Sequence, residues 1–320
     1  MKKKSLKTLS IILALILVVS TVGCGVKNDP DPVPDTGPPA ASVDTPASAT
    51  PDKPVNTQPA PTEPEPAPED AVLVIYGEGV EAQTNWTLEE LQDLEEGYRE
   101  ITYSTTNNWP TLSKTIAHGV SIPYLLEQAG VLDSAKTFVF SAPDGYRANI
   151  TREQLYGARY AYAEHSAAGS SGAEQVDAII AWEWGDKEAV PEDIRPYFGQ
   201  SGPMDVNTAS SVKGLYRIEV LAWDAGTWDM PEPSIASGSA VPKGTELDFT
   251  HPNMDNIRLY YTLDGSDPDY NSEVYNKSTS YFQPDLIVPI VIDSDITIKV
   301  LVSGLGKADG EIITLSYTVS

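Results

Sequence analysis

Hydrophobic and polar residues are distributed very unevenly along this chain. Lys2, Lys3, Lys4 and Lys7 precede an unbroken apolar run over residues 11–19, and small residues lead from there to Cys24. Residues 25–70 show no apolar period. Order begins at Ala71-Val72-Leu73-Val74-Ile75-Tyr76, a β-branched strand. Thr87-Leu88-Glu89-Glu90 is a capping box, with Leu88, Leu91 and Leu94 as one apolar stripe, which predicts a short helix. A strand is expected over residues 100–103, a helix over 121–128 stopped at Gly130, and a buried strand over 136–141. Pro143-Asp144-Gly145 is a turn into a strand at 147–150, and Thr151 with Gln154 makes a second capping box. Strands at 176–182 and 215–222 complete this half. Short strands interrupted by short helices indicate a mixed α+β domain, neither a bundle nor a doubly wound sheet.

The pattern then changes. Residues 244–249 alternate as a half-buried strand, and 257–263 form another that ends in the Asp264-Gly265 turn signal. Residues 286–292, 296–302 and 312–319 give three more. Pro289 cannot donate to a ladder, so its strand belongs at an edge. Five strands joined by Gly, Asp and Ser turns indicate an all-β sandwich of the immunoglobulin-like kind. A composition change at residues 228–233 divides the folded part into 71–229 and 232–320.

Composition sharpens the first two segments. Thirteen of the 26 prolines fall in residues 25–70, which cannot bury enough apolar surface to fold and should form a partly polyproline-II stalk. At about 3.1 Å per residue the stalk reaches on the order of 140 Å. The first 24 residues have the charged and apolar regions of an export signal, and their greasy run is short of the roughly 20 residues that span a bilayer. Thr21-Val22-Gly23-Cys24 resembles a bacterial lipobox, and Cys24 is the only cysteine in 320 residues. The resemblance implies lipidation of Cys24, anchoring to the cell membrane, and an extracytoplasmic, Gram-positive surface location. The stalk would lift the folded part into the cell wall.

Net charge removes whole classes of partner. Lys+Arg 21 against Asp+Glu 46 gives −25, and removing residues 1–24 leaves 17 − 46 = −29. Such a chain is repelled by phosphate backbones, which excludes nucleic acid. One cysteine excludes a disulfide scaffold and a thiolate cluster, and His118, His165 and His251 are too scattered for a His-Glu-x-x-His centre. Gly199-Gln200-Ser201-Gly202-Pro203 misses the Gly-x-Ser-x-Gly pattern. Trp182-Glu183-Trp184-Gly185-Asp186 offers either carboxylates beside aromatics or a strand terminus. Tyr160 and Tyr162 should share one face of a strand.

Several short motifs follow one another in a familiar order. Trp86 to Leu91, Tyr103-Ser104-Thr105-Thr106-Asn107 and Gly119 to Leu126 are followed by Asp144-Gly145-Tyr146-Arg147 with Thr151, then Val212-Lys213-Gly214 through Val220. This succession resembles the molybdopterin-binding oxidoreductase domain of the sulfite oxidase type. The resemblance implies a mixed α+β fold that holds a molybdenum–pterin cofactor in a groove, with a protein cysteine on the metal. Aligning Asn107 with the family asparagine puts Ser104 at the cysteine position, and residues 71–229 contain no thiol. A hard serine hydroxyl is a poor substitute for a soft thiolate on a redox-active metal. Asn107 and Lys213 match family positions for pterin or phosphate contact, and Arg147 is a third candidate by its charge.

In the last segment, Tyr260-Tyr261-Thr262-Leu263-Asp264-Gly265-Ser266-Asp267-Pro268, Tyr275, residues 296–300 and Tyr317-Thr318-Val319 look like a chitobiase/β-hexosaminidase C-terminal-type domain. That resemblance implies an accessory sandwich, with Tyr270, Tyr275, Tyr281 and Phe282 as aromatics for a sugar. Asp264, Asp267 and Asp269 invite calcium, but Tyr275 stands where an EF-hand loop needs Glu. The expectation is therefore a surface-anchored protein whose central domain kept the molybdopterin-binding fold as a non-catalytic binding or adhesion module. The alternatives are a molybdopterin-dependent oxidoreductase with Ser104 near the metal, and a carbohydrate-binding surface protein acting through the C-terminal domain.

Overall fold

The first folded element is a strand, and its hydrogen-bonded partners come from both neighbouring and distant sequence. The computed structural model describes residues 63–165, 172–185, 193–279, 284–286 and 288–320. Cys24, the apolar run before it and most of the Pro-rich stretch lie outside the described residues, as do Asp186, Tyr281 and Phe282. In chain order the first half contains β1 (Leu73–Tyr76), β2 (Thr84–Trp86), α1 (Leu88–Gln92), β3 (Tyr98–Thr106), β4 (Leu112–Ser121), α2 (Ile122–Gln128), β5 (Thr137–Ser141) and β6 (Arg147–Thr151). It continues with α3 (Arg152–Tyr156), β7 (Tyr160–Ala161), β8 (Glu174–Gln175), β9 (Ile179–Trp184), β10 (Arg195–Tyr197) and β11 (Arg217–Leu221).

Two larger sheets organise these elements. One runs β2-β1-β11-β5-β6, with β1 and β11 parallel; the other runs β10-β9-β4-β3 and is antiparallel throughout. The main core takes Leu73 and Ile75 from β1, Phe138 and Phe140 from β5, and Ile218 and Val220 from β11. Leu91 of α1, Leu125 and Leu126 of α2, and Ile180 and Trp182 of β9 pack into it. Both capping boxes form. Thr87 Oγ1 accepts from the Glu90 amide at 3.2 Å while Glu90 accepts from the Thr87 amide at 2.8 Å. Thr151 and Gln154 repeat the arrangement at 3.3 and 3.2 Å. Each box satisfies two N-terminal donors that an isolated helix leaves open.

The hairpin of β3 and β4 departs from the sequence expectation. β3 is longer than the 100–103 span, and no strand was expected over 112–120, where polar residues obscure the alternation. β4 is specified by its two neighbours, β3 and β9. Its register against β9 shifts between His118 and Gly119, so β9 carries an extra residue there. The bulge inverts the alternation. Ile180 and Trp182 face the main core, whereas Ile179, Ala181 and Trp184 join Tyr103 and Tyr197 in a smaller one. Gly119 allows the close approach, since a Cβ there would lie 2.0 Å from the Ile180 carbonyl oxygen.

The second half is all β. It contains β12 (Glu232–Pro233), β13 (Ala240–Val241), β14 (Thr245–Leu247), β15 (Phe249–Thr250), β16 (Arg258–Thr262), β17 (Glu273–Val274), β18 (Ile290–Ile292), β19 (Ile296–Ser303) and β20 (Ile313–Val319). A five-stranded sheet, β13-β20-β19-β16-β17, is accompanied by the pairs β14-β18 and β12-β15. Leu247, Phe249, Ile290 and Ile292 from the pairs pack on Leu259, Ile298, Val300, Leu315 and Tyr317 from the large sheet. The strand expected over 244–249 is split at Asp248, because its two parts pair with different partners. The architecture is thus a mixed α+β half followed by an all-β sandwich.

The two halves interlock. Leu305, from the loop after β19, is part of the main core of the first half. Trp228, from the first half's last loop, belongs to the sandwich core and donates its indole N–H to the Gly304 carbonyl at 2.9 Å. Gln154 of α3 holds the same loop, donating to the carbonyls of Gly304 and Lys307 and accepting from the Gly306 amide.

Candidate functional site

β3 carries Ser104 and Thr106 into the interior, against the loop that follows β10. Ser104 is 1% exposed. Its hydroxyl donates to Gln200 Oε1 and accepts from the Tyr162 amide at 2.8 Å, and its carbonyl accepts from Asn207 Nδ2 at 3.1 Å. Gln200 Nε2 reaches Thr106 Oγ1 at 3.0 Å and the Asp205 carbonyl at 2.8 Å. Asn207 Oδ1 accepts from the Thr106 amide at 2.9 Å. The local chain thus consumes its own polar groups.

A buried ion pair flanks this network. Arg159 Nη2 lies 2.7 Å from Asp205 Oδ2, and the same carboxylate oxygen accepts from the Ser201 amide at 3.0 Å. Burial pushes the Asp205 carboxyl above its ordinary range, while the Arg159 charge and the Ser201 N–H pull it back. Arg258 of β16 enters from the sandwich with no exposed surface, donating to the carbonyls of Met204 at 2.8 Å and Asn107 at 3.2 Å. Burial lowers its guanidinium to about 10, so it stays charged at neutral pH. His165 Nε2 contacts Thr106 Oγ1 at 2.9 Å, and burial lowers its pKa. The Tyr162 hydroxyl donates to the Ser201 carbonyl at 3.0 Å, and burial raises it to about 12.

The other sequence candidates lie elsewhere. Asn107 Oδ1 accepts from the amides of Trp109 and Thr111 at 3.0 Å each, closing the loop between β3 and β4. Arg147, on β6, pairs with Glu219 at 3.0 Å; Glu219 is 2% exposed. Lys213 is exposed in the loop before β11, in a cleft it shares with Glu69, Asp70 and Asp144. Of five prominent clefts among the described residues, Arg147 lines two, Lys213 a third, and Ser104 and Asn107 none. The four residues are not gathered into one site.

That geometry bears on the molybdenum–pterin group implied by the resemblance. A ligand atom must face a cleft and give up its proton to bind as an alkoxide, yet the Ser104 oxygen is interior, lines none of the five clefts and donates that proton to Gln200. A charged pterin phosphate is held best by uncompensated positive charge. Arg147 is paired, and Lys213 stands among three carboxylates. The residues present do not fit the group, and no redox step is derived through it. Among the described residues no three His, Cys, Asp or Glu side chains group as metal ligands. No helix there is long and apolar enough to cross a membrane.

The remaining motifs are mostly structural in placement. Trp182 and Trp184 are buried, and Arg195 lies 4.0 Å over the Trp184 ring. Tyr160 and Tyr162 meet edge to face at 6.3 Å. Tyr275 is buried and donates to Asp248, and Tyr270 donates to Asp309 at 2.6 Å. Asp264 accepts from Ser266, and Asp267 pairs with Lys299 at 2.6 Å. The sequence reading missed Arg159, Gln200, Asp205, Asn207 and Arg258. The one signal it carried was Gln200, Ser201 and Asp205 set between apolar Phe198 and Val206 in a Gly/Pro-broken loop, with Asn207 directly after it.

The geometry can now be set beside known proteins. Residues 249–317 match the model of the Fn3 associated family, which places that family's pattern over most of the sandwich. No curated protein matches the chain. Among solved structures, the sulfane dehydrogenase SoxCD from Paracoccus pantotrophus is similar at a TM-score of 0.36 and 11% identity, over 74% of this chain and 68% of that one.

Proposed function

We propose that the protein is an exported, Cys24-anchored surface protein whose α+β half is a non-catalytic binding module presented with its sandwich toward the cell wall. The observation that carries this reading is the state of Ser104: interior, hydrogen-bonded on both sides, and lining none of the five clefts. The motif order supports descent from a molybdopterin-binding domain. The hard oxygen in place of a thiolate supports loss of the redox role. Carbohydrate of the wall is the partner class proposed for the module, since the stalk would hold it there and the acidic surface would repel nucleic acid.

Two experiments test the reading. Protein purified from a host that makes the cofactor is denatured and its released pterin measured by fluorescence; the expected signal is background, and near-stoichiometric pterin overturns the proposal. Cys24→Ala is expected to release the protein into the medium. Retention in the membrane fraction would remove the anchor from the account.

A further inference from the structure

We infer that the cleft between β6 and the sandwich loops is a binding site for a sugar carrying a single carboxylate. This inference rests on the binding-module reading and supplies its site and ligand class. The cleft holds about 430 Å³, within the range of small-ligand sites. Arg147 borders it from β6 and Lys307 from the loop between β19 and β20. Among the five clefts it alone is lined by two cations and no carboxylate. In a chain of net charge −25 that is a local reversal of sign.

The charges set the ligand's valence. Arg147 is neutralised by Glu219 at 3.0 Å, a buried residue on the wall of the neighbouring cleft. Lys307 forms no ion pair among the described residues; its ammonium lies 5.4 Å from the centre of the Trp228 ring. One uncompensated cation suits one carboxylate and is too little for a phosphorylated pterin or a nucleotide.

The polar groups set the ligand's body. Asn149, Asn253 and Asn256 line the cleft, and their side-chain amides make no hydrogen bond among the described residues. Each offers two N–H donors and a carbonyl acceptor, the complement of vicinal hydroxyls. The buried Trp228 has spent its N–H on Gly304 and so offers the cleft no donor. The half-exposed Tyr146 ring is held by its hydroxyl bond to the Ala209 carbonyl at 2.6 Å. The Lys307 loop is fixed in advance by Gln154, which limits the ordering cost of binding.

Isothermal titration of the full-length protein with D-glucuronate tests the inference, with D-glucose and inorganic phosphate as controls. Saturable glucuronate binding is expected, with glucose and phosphate each at least roughly tenfold weaker, the scale of one charge-assisted hydrogen bond. Lys307→Gln should weaken glucuronate by about tenfold and leave the circular dichroism unchanged. Asn253→Ala should weaken both sugars alike. Absence of saturable glucuronate heat overturns the inference, as does equal affinity for glucose, equal affinity for phosphate, or an unchanged Lys307→Gln titration. A protein without pterin that also ignores glucuronate would overturn this site and leave the non-redox reading standing.

Discussion

The polar network around Ser104 and the cleft beside Arg147, where the α+β half meets the sandwich loops, treat hydrogen bonds in opposite ways. Around Ser104, Gln200, Asn207, Thr106 and backbone groups from distant segments satisfy one another, and the ion pair of Arg159 and Asp205 completes the set. In the cleft, three carboxamides and a lysine make no side-chain hydrogen bond or ion pair among the described residues. Buried polar groups that satisfy each other specify architecture, and an unmade partner there is costly. Open polar groups on a preformed wall are what a ligand needs. The position that the resemblance marks for chemistry is structural in this fold, and the proposed binding site lies where the sandwich meets that half.

Substitutions can break or sharpen that contrast. The largest effect is expected for Asp205→Ala, which strands Arg159 as a buried charge and should cost about 3–5 kcal/mol in denaturant unfolding. Ser104→Ala should cost roughly 1–3 kcal/mol, because Gln200 and the Tyr162 amide each lose a buried partner. Neither variant should alter glucuronate titration at temperatures where it remains folded. A smaller effect is expected from pH. Burial lowers His165 and His251 below their ordinary 6.5, so the unfolded chain binds more protons beneath that value. Their contribution to stability is complete above 6.5 and is lost as pH falls toward the folded values. Thermal melts at pH 7.5 and 5.5 should show the fall, and the double variant His165→Gln/His251→Gln should flatten part of it. The smallest stability change belongs to Lys307→Gln, within about 0.5 kcal/mol by the same unfolding assay, while its effect is on ligand binding. If the Ser104 network proved soft and the cleft variant destabilising, the contrast would fail.

Local signals were legible in the chain. Both capping boxes read correctly because four consecutive residues contain the whole motif, and the strands at β1, β5 and β11 read correctly because apolar β-branched runs need no partner to be recognised. β4 was not legible, since its polar positions are stabilised by strands on either side. The bulge opposite Gly119 was equally hidden, so Trp184 could not be assigned to its core. Ser104, Asn107, Arg147 and Lys213 could be nominated from motif order, but their separation could not. The Ser104 network joins residues about a hundred positions apart, such as Ser104 with Gln200 and Thr106 with Asn207. Arg258 comes from a different half altogether. No periodicity encodes such meetings.

Molybdenum content per chain tests the central claim most directly, measured by elemental analysis on protein from a cofactor-producing host. The account predicts far less than one molybdenum per chain, unchanged in Ser104→Ala. Near-stoichiometric molybdenum that disappears in Ser104→Ala would contradict it.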